Sequence, residues 1–263
     1  MKNILILGQS SYIGKELNRK LQKNSNYKVF LLSLRGDSWR EYDFSSFDVV
    51  VNLVGLAHVK ETKENKNKYF EINRDLAFDA GLKAKNEGVT QFIFMSSMSV
   101  YGINQGIIDK NSRINPNSHY GKSKYEAEKI LSEIEDDSFK VLILRPPMVY
   151  GLNSKGNYAK LHSFSKKTFI FPNYKNKRSM IHIDKLCNFI IEIIDEGKRG
   201  TFHPQDDDYV CTSIMVEKIA SEYGRKLWMS KLFNPIIYVL INVLKIKSFT
   251  KIFGDLVYDK NLK

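Results

Sequence analysis

Asn3-Ile4-Leu5-Ile6-Leu7-Gly8-Gln9-Ser10-Ser11-Tyr12-Ile13-Gly14 opens on a short apolar run, passes through a glycine, and enters a helical pattern with Leu17 and Leu21. The run is continuous rather than alternating, so it reads as a parallel strand buried on both faces. Gly8 permits a tight turn and Gly14 close packing of the helix. Strand, glycine turn and helix in that order aim the free N–H groups and positive dipole end of a helix at an anion. Gly8, Ser10, Ser11, Tyr12, Ile13 and Gly14 are therefore candidates to hold a diphosphate. Ser11 stands where a further glycine would give the closest backbone approach.

The same apolar signature returns at 27–32, 48–53, 91–95 and 140–144. Helical patterns separate several of these runs, one ending near Asn86 and one reaching from Tyr120 to about Asp136. The alternation predicts an α/β fold: a Rossmann-type doubly wound parallel sheet over 1–150. A smaller C-terminal substrate lobe over 151–263 follows, with one or two elements returning to the sheet. An acid at the end of the second strand would bind ribose hydroxyls, but Ser33 stands there, with Arg35 two residues on. This tilts a dinucleotide toward NADP rather than NAD. Asp43, before the third strand, is read as meeting the adenine edge. Val54-Gly55 at the end of that strand lets a flat cofactor lie against backbone, and His58 lines the loop. Residues 60–68 read as a solvated loop or helix start, and 102–118 as a loop.

Met95-Ser96-Ser97-Met98-Ser99-Val100-Tyr101-Gly102 ends the fourth strand, and Tyr120-Gly121-Lys122-Ser123-Lys124 opens the next helix. A tyrosine and a lysine four apart share one helix face. A nearby ammonium favours the phenolate and is expected to lower the tyrosine pKa. Ser97, Tyr120 and Lys124 form a candidate device for moving a proton on or off an alcohol or ketone, which calls for a hydride carrier.

Composition narrows the field. The 263 residues are 43% hydrophobic, enough for a substantial core. No apolar run is long enough to span a membrane and the opening does not read as a signal peptide, so the expected compartment is the cytoplasm. Cys187 and Cys211 are expected to be free thiols, and no histidine spacing suggests a metal. The net charge is +12; residues 225–263 hold eight Lys/Arg against two Asp, half of that excess. No nucleic-acid recognition pattern accompanies the charge, so none is expected as partner. Residues 232–244 are strongly apolar with lysines on both sides. They read first as a helix packed into the small lobe and second as a basic amphipathic helix on a membrane, within the segment 226–253. Asp206-Asp207-Asp208 reads as a solvated loop.

With Gly8/Ser11/Gly14, the SSxSVYG run, YGKSK and Arg145-Pro146-Pro147-Met148-Val149-Tyr150-Gly151 in this order, nearly the whole chain resembles the extended short-chain dehydrogenase/reductases, and within them the nucleotide-sugar epimerase/dehydratase branch. The resemblance implies catalysis by Ser97, Tyr120 and Lys124, support from Asn73, and nicotinamide contact at Pro146. It further implies substrate contacts at Ser97, Ser99, Asn157 and Arg178. The implied cofactor is NAD or NADP. The implied substrate is a UDP-linked, N-acetylated and often 6-deoxy hexose, reduced or epimerised at C4 for surface polysaccharide, with a homodimer as a candidate assembly. A 4,6-dehydratase is disfavoured, because Met98 follows Ser97 where that chemistry needs an acid. A catalytically idle NADP-binding sensor or assembly protein of the same fold is the rival reading.

Overall fold

In a computed structural model the chain is described at residues 1–57, 59–154 and 156–262. His58, Lys155, Lys263 and the side chain of Asn157 lie outside the described residues. The chain divides into two units. The first comprises 1–102, 114–147 and 183–204; the second comprises 103–113, 148–182 and 205–263.

The first unit is built on the apolar runs. β1 (Lys2–Leu7), β2 (Tyr27–Leu32), β3 (Val49–Asn52), β4 (Gln91–Met95), β6 (Lys140–Leu144) and β10 (Gly200–Phe202) form one sheet in the order β10-β6-β4-β3-β1-β2. All of its pairings are parallel. Every residue of β3 and β4 is buried, as continuous apolar runs require when both faces are covered. Leu5, Leu7, Val50, Phe92, Phe94, Val141 and Ile143 pack with alanines and leucines of α3 (Leu76–Asn86) and α4 (His119–Glu133). A Cβ on Gly81 would come 2.6 Å from a Leu131 methyl, so these two helices approach through a missing side chain. Elsewhere α1 (Tyr12–Leu21) meets α6 (Ile183–Glu196), where Lys20 Nζ donates to Asp184 O (3.0 Å) and Asn188 Oδ1 (2.8 Å). α6 buries Ile183, Leu186, Cys187, Ile190, Ile193 and Ile194, an apolar helical stripe. It leads into β10, which pairs in parallel with β6.

Strand order reverses between β1 and β3: β2 lies on one side of β1, and the later strands run out from the other. Ligands of open α/β sheets bind at such a switch point, outside the carboxyl ends of the strands. The helical segment after β3 is not uniform. α2 (Lys66–Phe70) passes into a π turn at Glu71–Asp75 before α3 begins.

The second unit contains three parallel strand pairs: β5 (Gly106–Ile108) with β12 (Leu256–Tyr258), β7 (Met148–Tyr150) with β9 (Met180–His182), and β8 (Ile170–Pro172) with β11 (Trp228–Ser230). Pairing with β12 turns part of the expected 102–118 loop into a strand. Helices α5 (Asn157–Ser165), α7 (Thr212–Glu222), α8 (Asn234–Tyr238) and α9 (Lys247–Phe253) complete the unit. Phe171, Val216, Ala220, Leu227, Ile237, Ile241 and Phe253 form its core. The acidic triplet is not uniformly solvated. Asp206 is buried because its carboxylate accepts from the Tyr150 hydroxyl (2.8 Å) and the His182 N–H (3.1 Å), while Asp207 and Asp208 are exposed. Of the apolar stretch 232–244, Ile237 and Ile241 enter the core while Leu232, Ile236, Val239 and Val243 face solvent. Among the described residues no helix is long and apolar enough to cross a membrane.

Candidate active site

β4 ends at Met95 and hands on Ser96 and Ser97. Ser96 N–H continues the pairing to Leu144 O (2.7 Å). Ser97 is extended and caps a 3₁₀ turn at Met98–Tyr101, its hydroxyl accepting from Ser99 N–H at 3.1 Å. Gly102 closes that turn with φ +68°, the left-handed region that glycine tolerates. Ser99 is exposed, and Pro146 O accepts from Met98 N–H at 3.0 Å.

α4 delivers the other two groups. Ser118 caps it by accepting from Gly121 N–H at 3.0 Å. The Glu61 carboxylate accepts from His119 N–H and Tyr120 N–H, both at 3.0 Å. Glu61 thus satisfies two orphan donors and complements the helix dipole, a role the reading of 60–68 as solvated did not contain. Gly121 brings α4 against the serine turn: a Cβ there would lie 2.6 Å from Ser99 O. Tyr120 and Ser97 are brought together as expected. The Ser97 hydroxyl interacts with the Tyr120 phenol and pulls its pKa down.

The Lys124 expectation is corrected. Its side chain is 3% exposed, its Nζ donates to Met95 O at 2.8 Å, and it lies 4.5 Å over the Phe94 ring. Burial pushes Lys124 down to about 7, with Glu128 acting the other way. Tyr120 is raised rather than lowered: desolvation by the surrounding protein is the largest cause and outweighs Ser97, and Tyr69 adds to the rise. A neutralising, desolvated lysine held by a carbonyl does not supply the through-space stabilisation expected for the phenolate.

Behind these groups lies a buried polar network not visible in the sequence motifs. Glu128, one helical turn after Lys124, accepts from Arg145 Nε at 3.0 Å and Nη2 at 2.7 Å, and also from the Ser96 hydroxyl. Arg145 Nη1 donates to the Tyr101 hydroxyl (3.0 Å), which bonds His203 Nε2 at 2.8 Å. Asn73, in the π turn, is fully buried. Its Oδ1 accepts from Leu56 N–H (2.6 Å), and its Nδ2 donates to Leu56 O (3.2 Å) and Ser123 Oγ (3.0 Å). Ser123 Oγ donates to Tyr120 O at 3.0 Å, so Asn73 couples the loop after β3 to the turn carrying Tyr120.

The residues at the β1/β3 switch point fit a dinucleotide. Gly8 has φ +95°, and a Cβ on it would lie 3.1 Å from the Leu53 carbonyl carbon. Ser11 replaces the middle glycine without strain, because its φ is −70° and its hydroxyl caps α1 by accepting from Gly14 N–H (2.9 Å). The first turn of α1 carries no acid, Ser10 is exposed, and Tyr12 and Ile13 are half-buried. Gly55 leaves open the space beside Lys124 Nζ, which a Cβ would approach to 3.1 Å; Val54 precedes it. Ser33 and exposed Arg35 follow β2 at the same end of the sheet, with Arg35 N–H near Ser33 Oγ (3.3 Å).

Asp43 and Arg178 each have a partner within the protein. The Asp43 carboxylate accepts from Ser45 N–H (2.8 Å), and the N–H of the next residue, Phe44, donates to Glu87 just past α3. Arg178 belongs to the second unit, where Nη1 donates to Gly254 O (3.0 Å) and caps the end of α9; its burial pushes the guanidinium pKa down. Asn157 opens α5, but its side chain is outside the described residues, as is His58. Among the described residues no group of three or more His, Cys, Asp or Glu is assembled for a metal ion.

The sequence model of the NAD dependent epimerase/dehydratase family matches residues 4–211. The chain belongs to this family. NAD or NADP is the cofactor of this family. A UDP-glucose 4-epimerase of Vibrio cholerae is 32% identical over 256 residues, covering 86% of this chain and 77% of that protein. The N-acetyl-alpha-D-glucosaminyl-diphospho-ditrans,octacis-undecaprenol 4-epimerase of Escherichia coli O157:H7 is 27% identical, covering 72% of this chain and 62% of its own length. The fold is also that of UDP-glucuronic acid 4-epimerase from Bacillus cereus, solved with NAD, at a TM-score of 0.73 and 18% identity over 98% of this chain and 90% of that one. dTDP-4-dehydrorhamnose reductase from Bacillus anthracis, solved with NADP, gives a TM-score of 0.74 at 16% identity over 99% and 91%.

Proposed function

We propose that the chain epimerises or reduces C4 of a UDP-linked, N-acetylated hexose, 6-deoxy sugars included, in the assembly of surface polysaccharide. The pairing of Tyr120 with Ser97 at the carboxyl end of β4 carries the reading. The Vibrio and Escherichia relatives, each a 4-epimerase by name, support the position acted on, and the lipid-linked N-acetylated sugar of the second supports the substrate class. Ser33 and Arg35 after β2 favour NADP, and two free cysteines fit the cytoplasm.

The bound dinucleotide supplies hydride acceptance and donation at the sugar carbon. Tyr120, kept protonated by burial, gives a proton to a C4 oxygen and takes it back in reverse. Ser97 hydrogen-bonds the same oxygen and stabilises charge developing there. Lys124 stays on Met95 O with the space left by Gly55 beside it, positioned toward the cofactor ribose. Asn73 and Ser123 keep the two sides of this arrangement in register.

The test incubates purified protein with UDP-GlcNAc, and separately with its 4-keto-6-deoxy derivative and NADPH or NADH, following absorbance at 340 nm and nucleotide-sugar chromatography together. Interconversion of UDP-GlcNAc and UDP-GalNAc without added cofactor identifies an epimerase, and stoichiometric NADPH loss on the keto sugar a reductase. Tyr120→Phe should abolish either, and Ser97→Ala should lower it about 10²-fold or more. Absence of both activities from a folded, cofactor-bound protein would overturn the reading.

A further inference from the structure

The second unit carries an apolar surface that its own core does not use. Between Gly224 and Gly254 there is no Asp or Glu, while Arg225, Lys226, Lys231, Lys245, Lys247 and Lys251 all fall in that stretch. Ile237 and Ile241 turn inward to the core. The next stripe at helical spacing, Ile236, Val239 and Val243, turns outward, preceded by Leu232 at 82% exposure and followed by exposed Leu244. A monomer has no packing reason to hold these side chains in water. Beside the stripe in the chain, β11 pairs with β8 and sets Trp228 (68% exposed) against Ile170, with Phe169 also exposed.

We propose that this face docks on an anionic lipid bilayer. Outward aliphatic residues enter the acyl boundary, the exposed tryptophan and phenylalanine sit at headgroup level, and the cations meet lipid phosphates. The lysine stems are long enough to lie along the apolar surface while their ammonium groups reach the headgroups. A second copy of the chain is the poorer occupant. A two-fold contact brings the same patch against itself, and would set six cations against six with no acid in the stretch to offset them. A spanning helix is also the wrong form, since α8 with the π turn that continues it (234–243) and α9 (247–253) are each far too short to cross. The proposal is independent of the catalytic reading, because docking is measured without substrate.

The experiment uses the full chain and sedimented vesicles of phosphatidylcholine alone or with about 30% phosphatidylglycerol. Trp228 is a built-in probe: the only other tryptophan, Trp39, is 2% exposed. Expected is binding at least about tenfold tighter to the anionic vesicles, a blue shift of tryptophan emission, and loss of binding as salt rises from about 0.1 to about 0.5 M. Leu232→Ser/Ile236→Ser/Val243→Ser keeps the charge, and Lys245→Glu/Lys247→Glu/Lys251→Glu keeps the apolar stripe. Each should weaken binding at least about tenfold while leaving cofactor binding and the melting temperature in place. No preference for anionic vesicles, or a serine triple variant that binds like the wild type, would overturn the proposal. So would a dimer in sedimentation velocity that the serine variant dissociates, with no vesicle binding in the parent; the face would then belong to a second copy.

Discussion

Glu128 holds the guanidinium of Arg145 through two hydrogen bonds, 3.0 and 2.7 Å long, one helical turn from Lys124. Both side chains are almost fully buried, Glu128 at 2% and Arg145 at 9% exposure. The pair ties α4 to the end of β6, and through Ser96 to the end of β4. The Glu128 charge also raises the Lys124 pKa, against the larger effect of burial.

Removing one partner of such a pair leaves the other charge buried and uncompensated. Glu128→Ala should therefore destabilise by about 3–5 kcal/mol, read as a drop in urea midpoint. Glu128→Gln keeps the shape, costs less, and should shift the Lys124 titration to lower pH. A pH–rate profile of Glu128→Gln identical to wild type would show that the pair is structural alone.

Lys124 makes stability depend on pH in a stated direction. Its folded pKa is pushed from 10.5 to about 7, so above pH 7 the unfolded chain binds the proton that the folded chain is losing. Stability should rise with pH from about 7 toward about 10, by up to ~1.4 kcal/mol per pH unit, and the penalty is complete below pH 7. Urea denaturation of cofactor-free protein between pH 7 and 9 measures the slope. Lys124→Met should flatten it; an unchanged slope would assign it to other groups.

The sheet was legible because its central strands are continuous apolar runs with no competing period, from 3–7 to 140–144. Ser97, Tyr120 and Lys124 were legible because strand end and helix start are close in sequence to the groups they place. The supporting shell was not. Glu61 caps a helix more than fifty residues away, and Glu128 meets its partner Arg145 only once β6 is folded against α4. Arg178 has the residue type of an anion contact, and the bond from its Nη1 to the carbonyl past the end of α9 spans more than seventy residues that no local spacing links. The sense of the Tyr120 shift was missed for a related reason: spacing along a helix gives proximity, while burial decides which form of the phenol is favoured.

Two glycines of equal backbone strain separate conformation from contact. Gly102 and Gly36 have φ of +68° and +70°. A Cβ on Gly36 meets nothing within 4 Å, so Gly36→Ala should cost about 1–2 kcal/mol, the price of the left-handed conformation. A Cβ on Gly102 would fall 1.8 Å from the backbone oxygen of Asn115. The turn after Ser97 must then move, and Gly102→Ala should cost more than about 4 kcal/mol or prevent soluble accumulation. Comparable urea midpoints for the two variants would refute the contact argument.

Asn73 offers the sharpest separation of binding from chemistry. Its amide makes three hydrogen bonds, two to Leu56 in the loop after β3 and one to Ser123 beneath Tyr120. Asn73→Ala leaves the Leu56 N–H without its acceptor, a loss of about 1–3 kcal/mol where no water replaces it. The loop bearing Val54 and Gly55 should loosen, and dinucleotide affinity should fall by about tenfold, as 1.4 kcal/mol corresponds to a factor of ten. Tyr120 and Ser97 keep their own supports, Glu61, Ser118 and the 3₁₀ turn, so turnover at saturating cofactor should fall less than affinity. Titration calorimetry with NADP and NAD, alongside kcat at saturation, measures both. A kcat that collapses while cofactor affinity holds would place Asn73 in the proton-transfer machinery instead.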